Sequence, residues 1–302
     1  MVIEINMEKI LVAHNGSFHA DDIFACATIL ASFPKENIKI VRTRDEEIIK
    51  SADFVVDVGG VYDEGIERFD HHQKGGAGIR ENGIPYASFG LVWKKYGEKL
   101  CGSREVAGAV DKQLVSAIDA GDNGIELYEN LRNDVHAFSL HSMYSLFLPT
   151  WKEDFDVDLE FIKLVSYAKI ILLRFIKKTT DLIEGENIVR EIYKNTEDKR
   201  VIVFDSYMPW KNELLKYPEP LIVLYQRADG NWNIEATLVK KGAFERRIKF
   251  PQSWAGLRDE EFEKVSGISG GVFCHNGLFL AVTKTKDGAL ALAKLALEAN
   301  KM

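Results

Sequence analysis

Cysteine is scarce in this sequence. The chain of 302 residues has three, Cys26, Cys101 and Cys274, which are widely spaced and form no Cys-x-x-Cys pair. A disulfide framework uses an even set of cysteines, and a structural zinc site uses closely spaced thiolates, so the sequence argues against both. We therefore expect a protein of a reducing, intracellular compartment.

Long apolar runs are also missing. The opening MVIEINMEKI carries Glu4 and Glu8 and lacks the apolar run of a secretory signal. The most apolar later stretch, KLVSYAKIILLRFI, is interrupted by Lys169 and Arg174 and is too short to span a bilayer. The net charge of −7 gives no reason to expect indiscriminate nucleic-acid binding. We expect a soluble protein with no membrane partner.

Strand-like and helix-like segments alternate in the first part of the chain. Continuous apolar runs predict strands at 9–16, 37–44 and 53–60, and amphipathic or polar stretches predict helices at 21–33 and 45–52. Strands of this kind, separated by helices, are typical of a mostly parallel sheet with helices on both faces. The fold class predicted is therefore α/β, with further helices at 88–100 and 105–122.

The pattern changes in the middle of the chain. Apolar residues at helical spacing predict a long helix over 158–194. The segments that follow are β-like, with Asp229-Gly230 as a hairpin signal, and a helix is predicted at 287–299. The predicted later strands lie at 200–205, 221–226, 232–239, 244–250 and, as a pair, within 270–284. We predict a metal-binding catalytic domain at 1–196 and a smaller α+β domain at 197–302.

Carboxylates and imidazoles collect where the predicted strands end. These residues are His14, His19, Asp21, Asp22, Asp57, Asp70, His71, His72, Asp119 and Asp122. Ligands of α/β sheets gather at this edge, and the mixture suits Mn²⁺, Mg²⁺, Fe²⁺ or Zn²⁺. Carboxylates gathered without a cation would repel one another and take up protons. Two divalent cations about 3.5–4 Å apart would remove that conflict and provide a hydrolytic site.

Five of these residues, taken singly, also have an ordinary structural explanation. Asp21 or Asp22 can cap the helix that begins there. Asp57 can be a turn residue before a pair of glycines, His14 a core histidine with one partner, and Asp119 an unremarkable helix acid. The grouping is harder to dismiss, because five of the seven histidines lie in or beside such clusters: His14, His19, His71, His72 and His275.

Three longer stretches carry a family resemblance. They are HNGSFHADDIFACA, VVDVGGVYDEGIERFDHHQKG, and the C-terminal segments WAGLRDEE, VSGISGGVFCHNG and KTKDGALALA. They are similar to the melanocyte-proliferating-gene family of metal-dependent hydrolases, within the DHH phosphoesterase superfamily. The similarity covers nearly the whole chain, from about residue 9 to 299.

The resemblance implies a Rossmann-like DHH domain, a smaller C-terminal domain and a dinuclear metal centre. It also implies 3′–5′ exonuclease activity on RNA, with eukaryotic members in the nucleus and mitochondria; a prokaryotic member would be cytoplasmic. The implied metal ligands are His14, His19, Asp21, Asp57, His71 and Asp119. Asp57 is the candidate bridging carboxylate. His19 stands where the superfamily motif has an aspartate, which leaves the preferred metal open; we favour Mn²⁺, with Mg²⁺ as the alternative.

The predicted activity is hydrolysis of a phosphodiester in RNA or a short oligonucleotide. Asp70 is expected to orient a histidine, and His72 to face the scissile phosphate. Substrate contacts are expected from Gly270, Gly271, His275, Lys284, Arg246 and Arg247. The alternatives are hydrolysis of a small phosphoanhydride or phosphomonoester, and a non-catalytic metal-binding regulatory protein. Oligomeric state is left open, a homodimer being one option.

Overall fold

The computed structural model describes residues 8–132, 134–135 and 137–300. The chain divides into two compact units, residues 1–180 and 181–302. This division lies within the long helix rather than at its C-terminal end, near residue 196, where the sequence places the domain boundary.

The first unit contains a five-stranded sheet with short strands. Its strands are β1 Lys9–Ala13, β2 Ile38–Arg42, β3 Phe54–Val56, β4 Tyr62–Asp63 and β5 Arg68–Phe69. The order across the sheet is β2-β1-β3-β5-β4. All neighbours are parallel except β4 and β5, which are antiparallel. The prediction of a mostly parallel sheet is confirmed.

Strand β5 has the largest consequence for the site. Val55 and Val56 of β3 pair in parallel with Arg68 and Phe69 of β5. Both strands therefore end at the same edge, and the residues that follow them come together there. Strand β5 was not predicted, because two residues are too short to show the alternation by which a strand is recognised.

Helices of the first unit follow the predicted order. They are α1 Ala20–Ser32, α2 Glu46–Ser51, α3 Ser88–Cys101, α4 Arg104–Val110, α5 Ser116–Asp122 and α6 Leu140–Ser145. Between α4 and α5 the chain forms a π-helical turn, Asp111–Val115, so that 104–122 is one helical stretch with a change of register. Helix α6 was not predicted. Nearly all of α1 is buried, and its Phe24 packs 5.3 Å from the Phe89 ring of α3.

The long helix α7 spans Val157–Asn195, as predicted. Phe161, Val165, Ala168 and Leu172 are buried at helical spacing, which is the pattern that identified the helix. Of the described helices, α7 included, none combines the length and the apolar character needed to cross a membrane.

The second unit is built on a mostly antiparallel sheet. Its strands are β6 Val201–Phe204, β7 Ile222–Gln226, β8 Trp232–Ala236, β9 Gly271–Cys274 and β10 Leu280–Thr283, in the order β6-β7-β8-β10-β9. Its helices are α8 Trp210–Leu214, α9 Asp259–Ser266 and α10 Lys286–Ala299. The predicted hairpin joins β7 to β8, with Gly230 at a positive φ of 84°. Mixed α/β structure with two five-stranded sheets is thus established.

The predicted strand at 244–250 is wrong. The described chain there forms one isolated bridge, Leu238 to Arg246, and no ladder. Ile248 and Phe250 are buried in the core of the unit while Phe244 is fully exposed. The alternation that resembled a strand therefore reflects a loop that inserts two apolar side chains into the core.

Candidate metal centre

Three parallel strands deliver the central residues of the site. His14 follows β1, Asp57 follows β3, and Asp70, His71 and His72 follow β5. Asp57 has a φ of 55°, in the left-handed region, which aspartate tolerates better than most residues because it is short and polar. The backbone therefore turns sharply at the strand end and places this carboxylate among the histidines.

Asp57 lies between two histidines. Its Oδ2 is 3.2 Å from His14 Nε2, and its Oδ1 is 3.3 Å from His71 Nε2. The Ser88 hydroxyl donates a hydrogen bond of 3.2 Å to Oδ1. One oxygen thus faces each imidazole, which is the arrangement that a carboxylate bridging two cations requires.

The first turn of α1 supplies two more carboxylates. Asp22 Oδ2 lies 3.1 Å from His14 Nε2, while its Oδ1 accepts a hydrogen bond of 3.0 Å from the His19 backbone N–H. Asp22 therefore caps the helix and also contacts the cluster. Asp21 accepts backbone hydrogen bonds of 3.0 and 2.8 Å from Ser88 and Phe89, at the start of α3.

Asp119 and Asp122, one turn apart on α5, have different partners. Asp122 Oδ2 is 3.1 Å from His71 Nε2. Asp119 instead forms an ion pair of 2.7 Å with Arg80 Nη1 and accepts a hydrogen bond of 3.1 Å from the Gly90 N–H. Asp122, which the implied ligand set omitted, is therefore the α5 carboxylate in direct contact with a cluster histidine, and Asp119 has a counterion of its own.

Three overlapping groups of side chains have the composition and spacing of a metal site. They are His14–His19–Asp57, Asp57–His71–His72 and Asp21–His71–Asp122, the ligand atoms of each group lying within 4.8 Å of one another. Asp57 belongs to two groups, and so does His71. The shared residues join the three groups into one cluster that could hold metal.

Two buried atoms support this interpretation. His71 Nε2 and Asp22 Oδ2 have no hydrogen-bonding partner in suitable geometry among the described residues, although charged groups lie close to both. Buried polar atoms normally have a hydrogen-bonding partner. A bound cation could take the place of that partner, because it interacts with a lone pair and needs no hydrogen bond. Imidazole and carboxylate donors are the set expected for Mn²⁺ or Zn²⁺, so the residues fit the predicted metal centre.

The cluster perturbs its own titration. Burial opposes a charge on His14, but the carboxylates of Asp22 and Asp57 outweigh it and raise the pKa of His14 to about 10. His71 is likewise buried, and Asp122 and Asp57 raise its pKa to about 11. Burial and the neighbouring carboxylates hold the pKa of Asp21 well above its usual range. The carboxylates thus need positive charge from protons or from cations.

Asp70 and His72 form a separate pair at the edge of the centre. Asp70 is buried; its Oδ2 accepts a hydrogen bond of 2.6 Å from the Gly60 N–H, and its Oδ1 lies 2.8 Å from His72 Nδ1. The His72 side chain is 62% exposed. Asp70 therefore fixes the ring through Nδ1 and leaves Nε2 for a ligand at the surface.

The predicted substrate residues all lie in the second unit. Gly270 donates its N–H to Glu263 at 2.8 Å, and His275 Nδ1 accepts a hydrogen bond of 2.9 Å from the Gly277 N–H. Arg246 donates to the Ala236 carbonyl at 2.8 Å, and Arg247 donates to the Tyr217 carbonyl at 2.7 Å. Both arginine side chains are thus engaged by backbone carbonyl groups of the second unit. Gly271 begins β9, and Lys284 follows β10.

Sequence reasoning missed two residues around the centre. Arg80 carries the charge that neutralises Asp119, and His141 of α6 lies parallel to His19 with ring centroids 5.9 Å apart. Neither residue belongs to the acid and histidine stretches, and a lone arginine or histidine in a turn-rich or helical segment has no periodic signal. The one signal available in the sequence was that Arg80 lies close to the paired histidines His71 and His72.

Comparison with known proteins identifies the family. The family model MYG1_exonuc, described as "Uncharacterised protein family (UPF0160)", matches residues 10–297. A MYG1 protein of Schizosaccharomyces pombe is 30% identical over 97% of this chain and 98% of its own length. The MYG1 exonuclease of Homo sapiens is 31% identical, covering 94% and 84%. This chain belongs to the MYG1 family, and the resemblance to that family is confirmed.

The relatives extend to bacteria. A MYG1 protein of Chlamydia pneumoniae is 31% identical over 94% of this chain and 95% of its own length. A solved structure of an uncharacterized protein from Helicobacter pylori covers 92% of this chain and 94% of its own. Its identity of 11% and TM-score of 0.20 are too low to support an argument about fold.

Proposed function

We propose that this protein is a metal-dependent phosphodiester hydrolase, a 3′–5′ exonuclease acting on RNA or short oligonucleotides through a dinuclear centre. The name exonuclease carried by the human relative supports the reaction class. The observation that carries the proposal is the position of Asp57, with one carboxylate oxygen facing His14 and the other facing His71. DHH-type superfamily membership belongs to the same proposal.

The ligands would divide between two cation positions that share Asp57. His14 and His19, with Asp22 beside His14, would surround one position, and Asp21, His71 and Asp122 would surround the other. Divalent cations bound there, Mn²⁺ in preference to Mg²⁺, would make a water molecule acidic near neutral pH and neutralise phosphate charge. Asp119 would act through its pairing with Arg80, holding α5 in register.

His72, oriented by Asp70, would stabilise the negative charge that develops at the scissile phosphate. Asp70 accepts the Nδ1 proton of His72, so the exposed Nε2 points away from its buried partner. A protonated ring can donate from Nε2 to a phosphate oxygen or to the leaving group.

The residues beside the centre favour a nucleotide over a small phosphoanhydride. A pyrophosphatase-like site needs a tight basic pocket around a compact polyanion. The cavity that adjoins Asp21 and Asp122 has no Lys or Arg among the described residues lining it. A non-catalytic regulatory role is disfavoured because the carboxylate and imidazole set is intact.

A release assay tests the proposal. With Mn²⁺ present, we expect mononucleotides to be released stepwise from 5′-labelled RNA, with chelator abolishing release. A DNA oligomer, pyrophosphate and a small phosphomonoester serve as comparison substrates. Preferred cleavage of pyrophosphate would support the alternative, and full activity in EDTA would exclude a metal mechanism.

A further inference from the structure

A cavity of about 720 Å³ opens beside the metal centre, against α5. Its volume is within the range of small-ligand pockets, roughly 300–1,000 Å³. Most of its wall is apolar or uncharged. The apolar side chains are those of Leu114, Ile118, Ile125, Leu127, Tyr128 and Leu140. A cavity of this character suits an apolar or planar group rather than an ion.

The charges around the cavity exclude a second phosphate. Asp21, Asp122 and Glu126 line it, and the described lining residues include no Lys or Arg. An anion would be repelled by these carboxylates, so the cavity does not extend the path of a nucleic-acid backbone. A neutral group attached to a phosphate meets no such penalty.

The cavity is continuous with the metal centre. Asp21 and Asp122 form part of its wall and, together with His71, one of the candidate cation groups. A phosphate held at that group therefore has its attached substituents next to the cavity. His141, whose ring stacks on His19, lies on the same wall.

The π-helical turn at Asp111–Val115 builds another part of the wall. It contributes Gln113 and Leu114, and Arg80 holds it through two contacts with Asp111, of 3.2 and 3.0 Å. Single π turns within α-helices occur frequently at functional sites, because they redirect side chains out of the helical register. The turn is thus a second, independent feature that directs side chains at this cavity.

We propose that the cavity is a nucleobase pocket, which receives the base of the nucleotide whose phosphate is bound at the metal centre. The inference rests on the proposed phosphodiesterase function and specifies its substrate. The Tyr128 ring would stack on the base, and the aliphatic side chains would cover its faces. Gln113, which lines the cavity, would offer polar groups to its edge.

The test compares two tyrosines of similar exposure in the first unit. Tyr128 is 55% exposed and lines the cavity, whereas Tyr167 of α7 is 62% exposed and does not. Each is replaced by Ala, and kcat/KM is measured with a nucleoside 5′-(p-nitrophenyl) phosphate and with methyl p-nitrophenyl phosphate, which has no base. Base–aromatic stacking predicts that the ratio of the two values falls roughly 5- to 150-fold in Tyr128→Ala. The ratio stays at the wild-type value in Tyr167→Ala.

A binding measurement separates this inference from the proposed function. In the presence of Mn²⁺, calorimetry should show that a nucleoside 5′-monophosphate binds the wild type at least about tenfold more tightly than ribose 5-phosphate, with the preference lost in Tyr128→Ala. If neither ester is cleaved but this preference is present, the pocket stands and the proposed function fails. Equal affinity for both phosphates, or an equal loss on both esters in Tyr128→Ala, overturns the pocket.

Discussion

Buried carboxylates are neutralised differently in the two units of this chain. In the second unit, the buried Glu213 contacts Arg190 at 2.8 and 3.0 Å, Lys216 at 2.5 Å and the Tyr217 hydroxyl at 3.1 Å. In the first unit, Asp22 and Asp57 are equally buried, and their ion pairs within the described chain are with histidines. Glu213 has the permanent positive charge of an arginine beside it. Asp22 and Asp57 have histidines beside them, and a histidine can lose its positive charge.

The difference separates structural acids from acids available for binding. An arginine keeps its charge at all accessible pH values, so an Arg–carboxylate pair is complete by itself. A neutral imidazole and a cation can share the same carboxylates, and imidazole is itself a metal ligand. Asp119, beside the candidate centre, also has an arginine partner, Arg80. Burial outweighs that pairing and raises the pKa of Asp119 to about 7, whereas the partners of Glu213 lower the pKa of that carboxyl.

Of the changes considered, replacing Asp57 with Asn should have the largest effect, because it removes one of the carboxylates whose ion pairs, among the described residues, are with histidines. Asn keeps the size of the side chain and tolerates the left-handed backbone, while removing the shared negative charge. We expect loss of both cations and a fall in turnover of about 1,000-fold, the upper range for losing one electrostatic group at a reaction centre. Elemental analysis after dialysis against Mn²⁺, together with the release assay, measures both effects.

Asp70→Asn is the matched control. Asp70 contacts His72 but belongs to none of the three candidate ligand groups, so this variant removes a carboxylate that is not itself a candidate ligand. We expect both cations to remain and activity to fall by roughly 10–100-fold, the usual cost of an outer-shell change. Unchanged metal content in Asp57→Asn would show that this residue does not bridge.

Gly90→Ala tests the Arg80–Asp119 pair. A Cβ added at Gly90 would lie 1.9 Å from Asp119 Oδ2 and 2.6 Å from Arg80 Nη2, so one or both of these side chains must shift. Disrupting a buried ion pair should lower the free energy of unfolding by about 3 kcal/mol. Denaturant unfolding measures this difference.

Gly108→Ala provides the comparison for that variant. Gly108 lies in α4 and is exposed, and a Cβ added there would point into open space, with no heavy atom of another described element within 4 Å. Alanine there should raise the free energy of unfolding by roughly 0.5–1 kcal/mol through helix propensity. Equal unfolding midpoints for Gly90→Ala and the wild type would mean that the pair adjusts without loss.

Glu213→Gln should destabilise the chain no more than Gly90→Ala does, and its effect should depend on pH. Burial opposes the charge, but Arg190, Lys216 and Tyr217 together lower the pKa of Glu213 to about 2 from its usual 4.5. The stability gained from this lowered pKa is present above pH 4.5 and is lost as pH falls toward about 2. At neutral pH the variant should be less stable by roughly 1–3 kcal/mol.

The measurement is unfolding of both proteins at several pH values between 7 and about 2. The difference between wild type and Glu213→Gln should shrink across the acid range. Glu191→Gln, which removes an exposed pair with Lys194, should change stability by less than about 1 kcal/mol at every pH. A difference for Glu213→Gln that does not vary with pH would assign its effect to packing instead.

Much of the fold could be predicted because it is encoded locally. Helices α1, α3, α7 and α10 were predicted within one or two residues, since apolar spacing and capping act over a few neighbours. The elements that failed were the two-residue strands β4 and β5, the short helices α6, α8 and α9, and the loop at 244–250. Their conformation depends on partners far away in the chain.

The sequence by itself placed His14 and Asp57 together, because each follows a predicted strand and parallel strands end at one edge. His71 joined them only through the family resemblance, since strand β5 before it was not predicted. Only the tertiary structure shows that Asp122, rather than Asp119, contacts His71. The π turn before α5 adds one residue to a helical turn and so rotates all later side chains by about 100°. Arg80, 39 residues earlier, then binds Asp119 and leaves Asp122 to contact His71. Helical register and a distant counterion decide which acid contacts His71, and neither can be read from spacing along the chain.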